Sequence, residues 1–369
     1  MFPALELRLR LRVFLALLAA AIISAAVTPL VRRFCCRIGA MDAPGAARRI
    51  HDHPVPRLGG LAIYLGFLAG VLVFAPLSRP LRGILLGSVL IVGMGAADDL
   101  VSLKPWVKLL VQIAAAGIAM AYGVRIQILA NPSAVHAEDI VLGALSVPVT
   151  LLWIVGVTNA MNLIDGVDGL AAGISGISCA STLAVSLFVP ESTDASVMLG
   201  ALGGACLGFL PFNRNPARIF MGDCGALLLG YILSTASVVG LFKTYAIVTC
   251  AVPLLTLALP ITDTLFAIVR RLRRGESPLQ ADRGHIHHRL LALGMTQKQV
   301  VWLLYGVSII LGLAAVVMAT RGVTRLWLLL AALIVAAAVW LYVFGRRGRT
   351  KKKEEVTPET PDDASSSQE

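Results

Sequence analysis

Apolar residues run along the chain in long blocks separated by short polar breakers. Read block by block, they predict eleven membrane spans, near 13–31, 58–76, 82–97, 106–122, 145–161, 169–189, 196–212, 224–242, 246–268, 299–320 and 325–344. A spanning helix needs roughly 20 residues to cross about 30 Å of hydrocarbon, so these blocks would absorb most of the apolar content. No long water-soluble domain interrupts them, and the longest connections are 32–57, 123–144 and 269–298. The predicted fold is all-α, a polytopic integral membrane bundle of about eleven transmembrane helices. Its membrane-embedded domain covers 1–344, and the polar stretch 345–369 reads as a disordered tail. Close glycine pairs such as Gly83/Gly87 and Gly204/Gly208 predict tight helix–helix contacts.

Composition narrows the class. Of 369 residues, 57% are hydrophobic and 14% charged, with a mean hydropathy of +0.81. Soluble enzymes carry about 25% charged residues, so that class is excluded. The net charge of +11 could point to nucleic acid, but the positions of the charges decide. With the N-terminus outside and the C-terminus inside, roughly 23 of the 32 lysines and arginines fall in inner loops. That bias explains the charge with no nucleic-acid partner. It orients a multi-pass membrane protein with loops 32–57, 98–105, 162–168, 213–223 and 269–298 facing the cytoplasm. Arg8, Arg10 and Arg12 before an apolar run imitate a signal peptide, but span parity argues for retention of that segment. The six cysteines form no CxxC pair and read as packing residues.

Acidic residues at the edges of apolar spans are costly and functional by default. Asp98 and Asp99 close the third span in GMGAADDL, and Asp165 and Asp168 follow the fifth in NLIDGVDG. Asp223 lies in NRNPARIFMGDCG and Asp263 late in the ninth span. One such aspartate could be a helix cap. The whole set falls at the cytoplasmic ends, where carboxylates repel unless a cation sits among them. All-oxygen ligands suit Mg²⁺, which uses one or two carboxylates plus substrate phosphates. Neighbouring Asp98 and Asp99 diverge by about 100° on a helix, which predicts separate jobs. Asp165 and Asp168 share one face if helical, and Gly166 and Gly169 permit close backbone approach.

A basic constellation complements them. Residues 270–290 read RRLRRGESPLQADRGHIHHRL, with His285, His287 and His288 between Arg283 and Arg289. Zinc is a rival reading, but no cysteine is near in sequence and the arginines disfavour a dication. Imidazole with guanidinium suits a diphosphate better. Arg57, in HDHPVPRLGG, stands at the cytoplasmic mouth of the second span. Carboxylates, a hard metal and cationic phosphate holders on a lipid-facing bundle define metal-assisted phosphoryl transfer to a membrane-dissolved acceptor.

The motifs PRLGG (56–60), ADDL with Lys108 downstream, NLIDGVDGLAAG (162–173), FNRNPARIFMGDCG (212–225) and DRGHIHHRLL (282–291) resemble a known family. It is the polyprenyl-phosphate N-acetylhexosamine-1-phosphate transferases, and the chain is most similar to the bacterial undecaprenyl-phosphate GlcNAc-1-phosphate branch. The resemblance covers about 50–300 and implies the reaction UDP-GlcNAc plus undecaprenyl phosphate giving undecaprenyl-diphospho-GlcNAc and UMP, with Mg²⁺ or Mn²⁺. It implies a metal-binding role for Asp223 and an acidic pair, Asp98 and Asp99, beside the acceptor phosphate. Asn162, Asp165, Asp168 and Asn213 match positions lining the nucleotide pocket. Lys108, Arg283, His285, His287 and His288 match groups that hold phosphates or sugar. In sum, Asp98, Asp99, Asp165, Asp168, His285, His287 and His288 carry the catalytic expectation, and Arg57, Lys108, Asn162, Asn213 and Arg283 the substrate-binding one. Cys224 and Ala226 replace the family's usual small hydroxyl residues after the metal-site aspartate. A sister activity on another UDP-2-acetamido sugar, a secondary transporter with an acidic cation site and an intramembrane aspartyl protease are the alternatives, and a homodimer is left open.

Overall fold

The computed structural model describes residues 2–42, 54–129, 140–186, 193–240, 247–275 and 284–320. The span 325–344, the tail 345–369 and Arg283 lie outside the described residues. The helices are α1 (Phe2–Ile38), α2 (Gly60–Phe74), α3 (Arg79–Val101), α4 (Pro105–Ala121), α5 (Ser146–Ile164) and α6 (Leu170–Ser186). They continue with α7 (Thr193–Asn213), α8 (Gly222–Gly240), α9 (Ile247–Thr256), α10 (Ala258–Arg273), α11 (Ile286–Ala292) and α12 (Gln297–Thr320). Two antiparallel ladders of two residues per strand join β1 (Met41–Asp42) to β2 (Val55–Pro56) and β3 (Ile128–Leu129) to β4 (Ile140–Val141). Among the described residues, six helical segments are long and apolar enough to cross a membrane, and α2, α4 and α6 are shorter apolar helices. The chain is a helical membrane protein.

α8 is the axis of the bundle. Every residue from Cys224 to Gly240 is buried, and α2, α3, α5, α6 and α7 pack around it. Small and apolar residues on every side allow that burial, and the hydroxyls of Ser234, Thr235 and Ser237 donate to carbonyls of the helix itself. α1 lies outside it, against α2 and α7. The predicted glycine contacts are present there: a Cβ on Gly204 would fall 2.1 Å from the Leu17 carbonyl oxygen, and one on Gly208 2.2 Å from that of Ala21. Small residues let helices approach this closely when lipid offers no hydrophobic drive between them.

Two expectations need revision. The ninth predicted span, 246–268, is not one helix but two, α9 and α10, broken at Leu257. Pro260 has no N–H for the carbonyl of Thr256 one turn back, and the Ser178 hydroxyl donates to that oxygen instead, at 2.7 Å. The expected loops are also shorter than their sequence limits. Asp98 and Asp99 lie within α3, Asn162 within α5, and Asp223 in the first turn of α8. Asp165 and Asp168 lie in the expected connection, a turn between α5 and α6, so the condition for a shared helix face is not met.

The site end of α8 is held by backbone. The segment 56–60 is laced to 220–221 through Phe220 N–H to the Pro56 carbonyl (2.8 Å), Gly59 N–H to Phe220 (2.9 Å) and Gly60 N–H to Met221 (2.8 Å). Gly60 faces Gly225 so closely that an added Cβ would lie 2.1 Å from the Gly225 nitrogen. Gly60→Ala therefore forces backbone apart and should cost roughly 1–3 kcal/mol or more. Gly93→Ala, with nothing within 4 Å of the new atom, should be near neutral. Thermal melts of the two variants in detergent test this, and equal melting points would refute the close approach.

Candidate active site

The first amide groups of a helix have no intrahelical acceptor, and a buried helix start must find one. At α8 it comes from α3. The buried carboxylate of Asp99 accepts from Asp223 N–H at 3.0 Å and from Cys224 N–H at 3.1 Å. Gly222, at φ +70°, makes the turn that aims those amides, and its missing side chain leaves room for the carboxylate. Asp98, one residue earlier, points elsewhere, as the helical divergence predicts. Its Oδ1 accepts from Leu103 N–H at 2.6 Å and its Oδ2 pairs with the Lys108 ammonium. Lys108, in the first turns of α4, also reaches Asp223 Oδ2 at 2.8 Å. One lysine thus bridges two carboxylates from separate helices.

The turn after α5 is stapled to the loop before α8. Asp168 Oδ2 accepts from Asn215 Nδ2 and from Ala217 N–H, both at 3.0 Å. Asn213 accepts from Gly169 N–H at 3.1 Å and donates to the Ile219 carbonyl at 3.0 Å. Tyr305 Oη donates to the Gly169 carbonyl at 2.5 Å. Asp168 and Asn213 are buried in these contacts. Asn162 and Asp165 are not so engaged: both are partly buried, and neither side chain has a hydrogen-bond partner among the described residues. Burial, then the negative charge of Asp223, Asp99 and Asp168, pushes the Asp165 carboxyl up to about 8.

The histidine motif arrives from a third direction. Asp263 on α10 pairs through Oδ2 with His285 Nδ1 at 2.8 Å and accepts from Ile286 N–H through Oδ1 at 2.8 Å, so it caps α11. His287 packs against the Asp165 turn, where a Cβ on Gly166 would fall 2.2 Å from its Nε2. Neither ring nitrogen of this buried histidine has a protein partner among the described residues. Its ring is parallel to that of His285, with centroids 5.9 Å apart, and His288 lies 4.3 Å away. Arg57 stands at the edge, its carbonyl accepting from Cys35 Sγ at 2.7 Å and its guanidinium 3.7 Å from Asp42.

These segments therefore meet at one end of the bundle. Asp98, Asp99, Lys108 and Asp223 form one connected cluster; Asp165 feels their charge, and His287 touches its turn. Among the described residues no three His, Cys, Asp or Glu side chains converge on one point. The cluster nonetheless carries more negative charge than Lys108 balances, and that charge adds to burial in raising Asp165. That surplus fits a hard divalent cation whose shell substrate oxygens complete. Sequence reasoning left Asp263 without a role and did not foresee Asn215 or Tyr305. For Asp263 a signal existed, an acidic residue inside an apolar helix, but its partner is 22 residues away across a connection. A nearly wholly apolar cleft of about 420 Å³ runs along α5 past Gly156 and Ala160, between Trp153, Leu254 and Leu265.

Burial and the neighbouring His288 depress the His287 pKa to about 3. An unfolded histidine takes up its proton near 6.5, so the folded state is fully favoured above that pH and loses this contribution as pH falls toward 3. Melting in detergent across that window should show a steeper acid loss for the wild type than for His287→Asn. Superimposable curves would mean the imidazole is not excluded from water.

Comparison with known proteins follows the same residues. Positions 81–241 match the family model described as glycosyl transferase family 4. A Bacillus subtilis protein named "Probable undecaprenyl-phosphate N-acetylglucosaminyl 1-phosphate transferase" is 38% identical over 309 residues, which is 84% of this chain and 85% of the relative. The decaprenyl-phosphate N-acetylglucosaminephosphotransferase of Mycolicibacterium smegmatis is 36% identical over 360 residues, 90% of this chain and 88% of its own. The undecaprenyl-phosphate alpha-N-acetylglucosaminyl 1-phosphate transferase of Escherichia coli K12 is 28% identical over 307 residues, 79% of this chain and 78% of its own.

Proposed function

Because the chain belongs to glycosyl transferase family 4, we propose that it transfers GlcNAc-1-phosphate from UDP-GlcNAc to undecaprenyl phosphate and releases UMP. The observation that carries this reading is the Lys108 bridge between Asp98 and Asp223 at the head of α8, in a bundle that also has an apolar cleft along α5. The cleft suits a prenyl chain, and the cluster suits phosphates. The relatives named above differ in acceptor, undecaprenyl or decaprenyl, so the polyprenyl phosphate is the shared chemistry.

In the proposed reaction an oxygen of the lipid phosphate attacks the β-phosphorus of the donor. The new P–O bond forms as the bond from that phosphorus to the bridging oxygen breaks, and UMP leaves with the electron pair. A phosphate monoester is already an ionised nucleophile at neutral pH, so no covalent enzyme intermediate is required. Lys108 offsets phosphate charge and holds Asp98 and Asp223 in register. Asp223, with Asp98 beside it, would hold Mg²⁺ or Mn²⁺, which supplies Lewis-acid neutralisation of the diphosphate. Asp99 acts as a positioning residue, because both its oxygens are engaged by the α8 amides. Asp168 and Asn213 shape the nucleotide pocket, and Asn162 and Asp165 offer open polar atoms to it. His285 is oriented by Asp263, and His287, with Arg57 and Arg283, completes the phosphate and sugar contacts. Eleven spans, an outside N-terminus, an inside C-terminus and a cytoplasm-facing site in the inner membrane complete this reading, since sugar nucleotides are cytosolic.

A secondary transporter would keep its ionisable residues near the bilayer midplane. Here they sit in terminal helical turns, which favours the transferase. UMP release from UDP-GlcNAc that requires both polyprenyl phosphate and Mg²⁺ is the direct test, and a panel of UDP-2-acetamido sugars ranks the donors. Asp223→Asn should lower turnover by about a hundredfold or more while inserting normally. Metal-dependent activity surviving in that variant would remove Asp223 from the metal site.

A further inference from the structure

A second opening lies at the end of α7, bounded by the 213–221 loop and the first turns of α12, with a volume of about 840 Å³. None of Asp98, Lys108 and Asp223 lines it. Arg214, Arg218 and Lys298 edge it; all three are exposed, and their side chains make no hydrogen bond or ion pair with the described residues. The one carboxylate on its floor, Asp168, already accepts from Asn215 and Ala217. Three cations without a partner among the described residues, around a cavity of this size, call for an anion larger than phosphate alone.

The surroundings identify the kind of anion. Leu210, Pro211 and Phe212 make one wall, so the cavity is amphipathic. Trp302 stands 73% exposed beside Tyr305, ring centroids 6.0 Å apart. An exposed tryptophan next to a lysine at the start of an apolar helix is the pattern of a membrane–water boundary. From Trp302 an exposed apolar strip continues along the same face of α12 through Ile309 and Leu313. That strip leads away from the cations, as acyl chains lead away from a headgroup.

We propose that this cleft binds the phosphodiester headgroup of an anionic phospholipid, with the acyl chains laid along α12. The chemistry is phosphate held by guanidinium and ammonium, at a boundary where each basic side chain adds to the attraction. The site is distinct from the apolar cleft along α5. It shares Asp168 and Gly169 with the turn after α5, and Asn215 ties that floor to α12, its Nδ2 donating to Gln297 Oε1 at 2.7 Å and to Asp168 at 3.0 Å. The proposal concerns binding and stands independently of the transferase reaction.

Native mass spectrometry of the full chain in neutral detergent, offered phosphatidylglycerol or phosphatidylcholine, tests it. The wild type should retain phosphatidylglycerol about tenfold better, and the Arg214→Gln/Arg218→Gln/Lys298→Gln variant should lose that preference while eluting as a folded monodisperse species. Equal retention of both lipids by the wild type, or an undiminished preference in the folded variant, overturns the proposal. Millimolar inorganic phosphate or UMP should leave the lipid in place; displacement would assign the cleft to a soluble phosphate and overturn the lipid reading. Should the variant not fold, a photoreactive phosphatidylglycerol on the wild type decides instead. Labelling of α12 near Trp302 supports the site, and labelling confined to other helices refutes it.

Discussion

The buried start of α8 is the constraint on which the rest of the site depends. Its leading amides sit away from water and need acceptors, and Asp99 supplies one oxygen to each of two of them. A buried donor left unsatisfied costs about 1–3 kcal/mol, so this carboxylate stabilises the helix as well as placing it. Because Asp223 begins that same helix, fixing its backbone amide also fixes where its carboxylate can point. Asp98, on the same turn of α3, then meets Asp223 across Lys108. Fold stability and site geometry share one side chain.

The same economy appears in the loops. Asp168, Asn213 and Tyr305 tie the turn after α5, the end of α7 and the first turns of α12 into one unit. Asp263 does the equivalent for the histidine helix. Three separately anchored segments thus converge, and the residues with open polar atoms, Asn162, Asp165 and His287, are those left over once the anchoring is complete. Preorganised polar groups in a shielded site act more strongly than they would in water, where each would have to be reoriented first.

Much of this was legible in the chain itself. Apolar block length located the helices from α1 to α8, and α12, because spanning is a local property of a segment. The acidic set was visible because a carboxylate beside hydrocarbon has few structural excuses. What was not legible was the division of labour within the set. Asp99 and Asp223 look alike in sequence, yet one is consumed by helix amides and the other is not. That difference depends on Gly222 and on the packing of α3 against α8, which no single segment encodes. The break between α9 and α10 was hidden for a similar reason, since Pro260 is tolerated only because Ser178 on α6 supplies the missing donor. Arg283 and the segment 325–344 fall outside the described residues.

The apolar cleft along α5 is lined by residues that are themselves at the bundle surface, Leu152, Leu254 and Leu265 among them. A ligand with a hydrocarbon tail can therefore slide in sideways without ever leaving the bilayer. Its occupancy is then governed by mole fraction in the lipid plane and not by molarity in bulk. Diluting the membrane with inert lipid would starve this opening even while the aqueous partner remained saturating.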